Sequence, residues 1–407
     1  MSRSTATRWV AAVLCAGVVS LGGWGGAELV AQQPSLPGPP SGLPAPEDAP
    51  SLVAPEGQGP APGVAGDHLM YIGTYRDAIY VLDEATEEVV DRIDLESGIP
   101  RSISLNADRT RFYVVDVTYE FVEVVDIASR ESIEVHSLSQ GPETVRVWGM
   151  AVAPDEDYAI LLIRSYRSLP DRFEVGPMRL VQYDLEAREI IREVPWPDDR
   201  KRQGVNLRFS RDGRWLYFLL DDIRVYDTED FSEVGRWDYS GVMGGGLEDF
   251  SFGFSESVYE DRGIYTGIFR VTDPVQDRVL MGVARVDLDE REVDARPLGP
   301  TEPRMRFALA PDGRTAYGLK DQVDDYEFWT MDLDQAQVTS RARFRGRSRM
   351  LHEVSSSGEV IYIYNAGNTI DMYRADDYAY MRTIVLDTDT TSGLIILPRT
   401  DGPAGGS

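Results

Sequence analysis

The chain has 407 residues, with 68 acidic against 41 basic residues and a formal net charge of −27. A field of that sign repels nucleic acid and anionic lipid and excludes both as partners. The single cysteine, Cys15, lies in an N-terminal apolar segment, and His68, His136 and His352 are far apart in sequence. Once that segment is removed, disulfides, thiolate zinc, Fe–S clusters, thiol nucleophiles and covalent c-type haem are excluded, while carboxylate-bound calcium stays open.

Residues 1–31 read as an export signal. Arg3 and Arg8 precede an apolar run from Trp9 to Leu21, and small residues follow up to Ala31. The glycines after Leu21 and the charge at Glu28 argue against a retained membrane anchor. Leu14 occupies the place where a lipoprotein signal needs a small residue before Cys15. The expected mature chain is therefore periplasmic or secreted, with no membrane span. Residues 32–66 are dominated by proline, glycine and alanine and read as a disordered, partly polyproline-like linker.

From His68 onward the pattern is that of strands. An apolar run closing on aspartate recurs as IYVLD to Asp83, VEVVD to Asp126, RLVQYD to Asp184 and IRVYD to Asp227. It continues through Asp287 and Asp332, with Arg374 in the seventh equivalent place. Most spacings fall in the low forties and two lie near sixty, the period of a four-stranded propeller blade. Tight-turn residues recur between the first and second strands, at Asn106–Asp108, Pro154–Glu156, Arg211–Gly213, Pro311–Gly313 and Ser356–Gly358. Blade five has no clean copy, reading Ser255-Glu256-Ser257. The repeat starts mid-blade near Leu69, and Ser392–Pro398 has the character of a first strand. The expectation is an all-β, seven-bladed propeller over residues 67–399, closed by pairing the C-terminal strand with the N-terminal blade, and a disordered tail at 400–407.

The two long intervals place extra residues at Ser165–Met178 and Arg270–Arg278, between second and third strands, and at Asp238–Glu248, between blades. In an up-and-down blade both kinds of connection emerge on one face, opposite the tight turns. That face is the expected binding face.

Few constellations suggest chemistry. Gly244-Gly245-Gly246 lacks the Gly-Lys-Ser/Thr of a phosphate loop, and paired acids such as Asp221-Asp222, Asp198-Asp199 and Asp324-Asp325 read as turns and surface. No Gly-x-Ser-x-Gly elbow is present. His352 reads as structural or surface, and Trp148, Trp196, Trp215, Trp237 and Trp329 as packing residues. Alternate arginines from Arg341 to Arg349 form one side of an extended segment, either a solvated rim or an anchor for an acidic partner.

The repeat, as in Phe112–Val135, resembles the YVTN-type bacterial propellers. Phe173-Glu174-Val175-x-Pro177-x-Arg179 followed by Tyr183-Asp184 resembles the beta subunit of quinohemoprotein amine dehydrogenases. Later segments keep the order, through Phe209–Gly213, Asp273-Pro274 and Phe307–Tyr317. The resemblance implies a periplasmic complex oxidising primary amines. In it a dihaem subunit carries electrons, a small subunit carries cysteine tryptophylquinone and the base, and the propeller covers the quinone and shapes the cavity. This chain would then hold no catalytic, cofactor or metal residue, and Phe173, Glu174 and Arg179 become the expected interface positions. A stand-alone exported scaffold and a calcium-dependent propeller lactonase are the alternatives.

Overall fold

The computed structural model describes residues 63–220, 222–237, 247–253, 257–302, 304–322, 325–344, 350–364 and 367–399. The segments read as export signal and tail, and most of the linker, lie outside them. So do Gly244-Gly245-Gly246, Asp221, Asp324, Arg345, Arg347 and Arg349. Among the described residues no helix is long and apolar enough to cross a membrane.

Seven antiparallel sheets form the seven expected blades, six of four strands and one, blade three, of five. The C-terminal strand Thr390–Leu397 is the first strand of blade one and pairs with Leu69–Thr74, Leu397 opposite Leu69. The ring is thus closed by joining the two ends of the fold, which leaves no open edge between them. Side chains alternate across each strand, so every blade presents an apolar layer to both neighbours. The buried residues accordingly fall into seven clusters, one for each interface between adjacent blades. The closing interface joins Met70 and Ile72 of blade one to Tyr362 and Met372 of blade seven, and is built like the other six.

The recurring aspartate acts at the turn after the third strand. In six blades its Oδ1 accepts a backbone N–H two or three residues on, at 2.6–3.0 Å. The residue four places after it has a left-handed backbone in all seven blades: Glu87, Arg130, Arg188, Phe231, Arg291, Ala336 and Tyr378, with φ between 50° and 61°. In blade seven Asp377 takes over, accepting from Ala379 N at 2.9 Å and pairing with Arg374. Aspartate supplies an acceptor in the geometry the tight turn needs, which is why it marks the period.

Two expectations are corrected in form. The added length between the second and third strands of blades three and five is largely strand rather than loop, while residues 238–246 of the expected Asp238–Glu248 insertion lie outside the described residues. In blade three Tyr158–Ser168 runs on into a short added strand, Phe173–Val175. Blade five raises a hairpin from Ile264–Asp273 and Arg278–Asp287. The pairing ladder extends with them, to Ser168 opposite Phe173 in blade three and Asp273 opposite Arg278 in blade five. At the N-terminal boundary, residues 63–66 pack on the ring. Ala65 is fully buried, and its carbonyl accepts from Ser357 N at 3.1 Å.

Candidate functional site

Two faces and one axial channel are available for function. On the face of the raised hairpins, Phe173 is 73% exposed, and Val175, Tyr75 and Val117 are exposed beside connections of blades three, one and two. Trp148 sits where the register of blade three shifts between Val147 and Gly149, a bulge that frees it from the ladder. It is 40% exposed and stacks on Tyr119 at 4.5 Å, and the Arg101 guanidinium caps Tyr119 at 4.8 Å. Arg146 similarly covers Tyr166 at 4.9 Å. Trp148 therefore departs from the packing role expected of it, whereas Trp329 is buried, with Arg341 3.8 Å above its ring.

Of the three expected interface residues, Phe173 and Glu174 are neighbours on the added strand. Glu174 pairs with Arg172 at 2.9 Å. Arg179 stands apart at the start of the third strand, where Nε meets Glu193 at 2.6 Å, so it is engaged across its own blade. Around them Arg101, Arg146, Arg164 and Arg167 form no ion pair among the described residues, unlike most arginines of this acidic chain; Arg164 Nε donates to Gly176 O at 3.0 Å. Exposed aromatic groups interleaved with unpaired guanidinium groups make a surface suited to a protein partner.

The channel runs inside the first strands. Arg101, Ser102 and Ser104 of blade two are exposed although their strand is innermost, so water enters there. The opposite mouth is obstructed by a segment that sequence reasoning missed. Residues 257–263 of blade five replace its absent tight turn and cross the axis to blade two. There Arg109 donates to the carbonyls of Val258 at 2.6 Å and Glu260 at 2.8 Å. The same loop reaches blade seven through Tyr259 Oη, which donates to Val354 O at 3.0 Å, and blade four through Arg211 Nε, which donates to Arg262 O at 2.7 Å. A segment bonded to blades two, four and seven must span the opening. Its signal in the sequence was the defective fifth turn. Arg109 has φ of 62° at the place where blades four, six and seven use Gly213, Gly313 and Gly358, a strained choice offset by those bonds.

Glu260 is buried and held by Thr266, whose backbone N lies 3.0 Å from Oε2. His352 is structural: buried, with Nε2 2.9 Å from Tyr317 O, and its pKa is pushed down to about 4 by burial. Among the described residues no three His, Cys, Asp or Glu side chains group as a metal site.

No protein-family model and no curated protein matches the chain. Solved structures do. Dihydro-heme d1 dehydrogenase NirN in complex with DHE matches at 12% identity and a TM-score of 0.50, over 88% of this chain and 82% of that one. Hydrazine synthase of Kuenenia stuttgartiensis matches at 14% and 0.45, over 84% and 100%. Apo AztD from Citrobacter koseri matches at 11% and 0.45, over 81% and 98%. At 12% identity the likeness to the NirN structure is one of fold alone, and this chain's own sheets make that fold a seven-bladed β-propeller.

Proposed function

We propose that this chain is a non-catalytic propeller subunit of an exported complex, docking through the face that carries the raised hairpins. Its partner is a small quinone-bearing subunit of the amine dehydrogenase type, with a dihaem subunit completing the assembly. In that reading the propeller covers the quinone and shapes the cavity for a primary amine. The observation that carries the docking role is the exposure of Phe173 at 73% on a strand added to the standard blade. A solvent-facing aromatic on a raised edge loses contact with water only when something covers it, and such anchors dominate protein interfaces. The partner's identity is drawn from the resemblance of Phe173–Asp184 to the beta subunit of that family, within a repeat of the YVTN type.

The chain's own residues would contribute surface and shape, with oxidation chemistry supplied by cofactors of the other subunits. Purification from the native host under mild conditions tests this: haem- and quinone-bearing subunits should accompany the chain and give a visible spectrum. A colourless monomer in quantity would overturn the reading. It would leave a stand-alone exported scaffold, which the same exposed face also suits.

A further inference from the structure

The bridging loop divides the inner end of the channel into two cavities, and they differ in character. One, of about 220 Å3, adjoins blades two to five and contains Arg208. The other, of about 170 Å3, adjoins blades one, two, six and seven, and is lined by Ile103, Leu105, Phe307, Ile395, Tyr259 and Glu353. Glu353 lies one residue before the end of the first strand of blade seven, Leu351–Val354. Alternation sends its neighbour His352 into the interface with blade six and leaves the carboxylate facing the channel.

One oxygen of Glu353 accepts from the backbone N–H of Val354 at 3.1 Å, and among the described residues no cation pairs with it. The charged and titratable groups around it are few. Arg109 lines the same cavity, but its guanidinium is taken up by loop carbonyls. Arg306, on the adjoining first strand of blade six, has an interaction of its own. The phenols of Tyr259 and Tyr364 are both held neutral by burial, and each feels the Glu353 charge. Burial pushes the Glu353 carboxyl up to about 7. A half-buried acid that faces a cavity with no cation paired to it is costly to leave uncompensated, and a ligand cation removes that cost.

We propose that this half of the channel binds a small organic ammonium ion. The Glu353 carboxylate holds the cation, with the Tyr259 oxygen as a second acceptor, and Ile103, Phe307 and Ile395 surround an apolar body. The cavity lining is polar and apolar in similar measure, with Ile103, Phe307 and Ile395 among its apolar residues and Ser104, Arg109 and Ser257 among its polar ones. A single carboxylate in such a cavity matches a monocation with a short alkyl or aryl group better than a hydrated metal ion, which needs several oxygen ligands. The site requires no second subunit, so it stands or falls separately from the docking reading.

Isothermal titration calorimetry on the purified chain tests it, with benzylamine and butylamine against benzyl alcohol, at pH 8 and pH 5.5. Both amines are cationic at either pH, so only the protein titrates. The expected result is binding of the amines at pH 8, at least tenfold weaker at pH 5.5 and in Glu353→Gln, with no heat from the alcohol. Equal affinity for alcohol and amine, unchanged binding in Glu353→Gln, or no amine binding at pH 8 would each overturn it. The pH comparison on the unaltered chain keeps the test intact if Glu353→Gln fails to fold.

Discussion

Removing Glu84 should loosen the closure of the ring more than any comparable change elsewhere on the turn face. The residue follows the third strand of blade one and is fully buried against blade seven. Its carboxylate accepts from His68 N at 3.2 Å, Ser356 N at 3.1 Å and Tyr362 Oη at 3.1 Å, and also from the Ser356 hydroxyl. Glu84→Ala deprives all four donors. The two hydroxyls can turn to other acceptors, but the two backbone N–H groups cannot. At about 1–3 kcal/mol for each stranded donor, the variant should lose roughly 3–5 kcal/mol, a large part of a typical domain's stability.

Glu84→Gln keeps one acceptor and should lose less. Burial, outweighing the hydrogen bonds, raises the Glu84 pKa above its ordinary 4.5. The folded state therefore keeps this proton where the unfolded chain has released it. Its contribution is fully present below about pH 4.5 and is lost as pH rises through the raised value, so the advantage over Glu84→Gln should shrink as pH rises. Urea unfolding followed by tryptophan fluorescence at several pH values reads both effects. A loss under about 1 kcal/mol in Glu84→Ala, or an advantage that grows with pH, would refute the reasoning.

Three further outcomes follow from the same geometry. Ala336 has φ of 50°, so Ala336→Gly should raise stability by about 1 kcal/mol in urea unfolding despite the usual cost of glycine; a loss would show the turn is not strained. Arg109→Ala strands the carbonyls of the bridging loop, and should cost about 2 kcal/mol and expose 257–263 to limited proteolysis. Protease resistance equal to that of the unaltered chain would remove the bridge from the account. Phe173→Ser, at a solvent-facing position, should leave stability within about 0.5 kcal/mol while weakening partner capture.

The ring was legible because its causes are local. Aspartate at the end of the third strand in six blades and the turn residues between first and second strands have direct structural jobs, so their period exposed seven blades. The closure was legible from the apolar run at Ser392–Leu397, which had no partner of its own. What escaped was set by register and by long-range reach. Trp148 is exposed because a bulge removes it from the alternation, and nothing in the residues around it distinguishes it from a packed tryptophan. The loop 257–263 crosses the channel through Arg109, which is about a hundred and fifty residues away in sequence. Only the missing turn in blade five hinted at it. Phe173 and Glu174 fall together on the exposed added strand, whereas Arg179 is drawn aside by Glu193, a cross-strand contact that pattern reading does not reveal.

The central claim is that the face bearing Phe173 and Trp148 covers a partner. Its most direct test is affinity capture from an extract of the native host, comparing the unaltered chain with a Phe173→Asp, Trp148→Asp variant shown to fold equally well. The account predicts that haem-absorbing subunits come down with the unaltered chain and are lost with the variant. Recovery of the same partners by both, or of none by either, would contradict it.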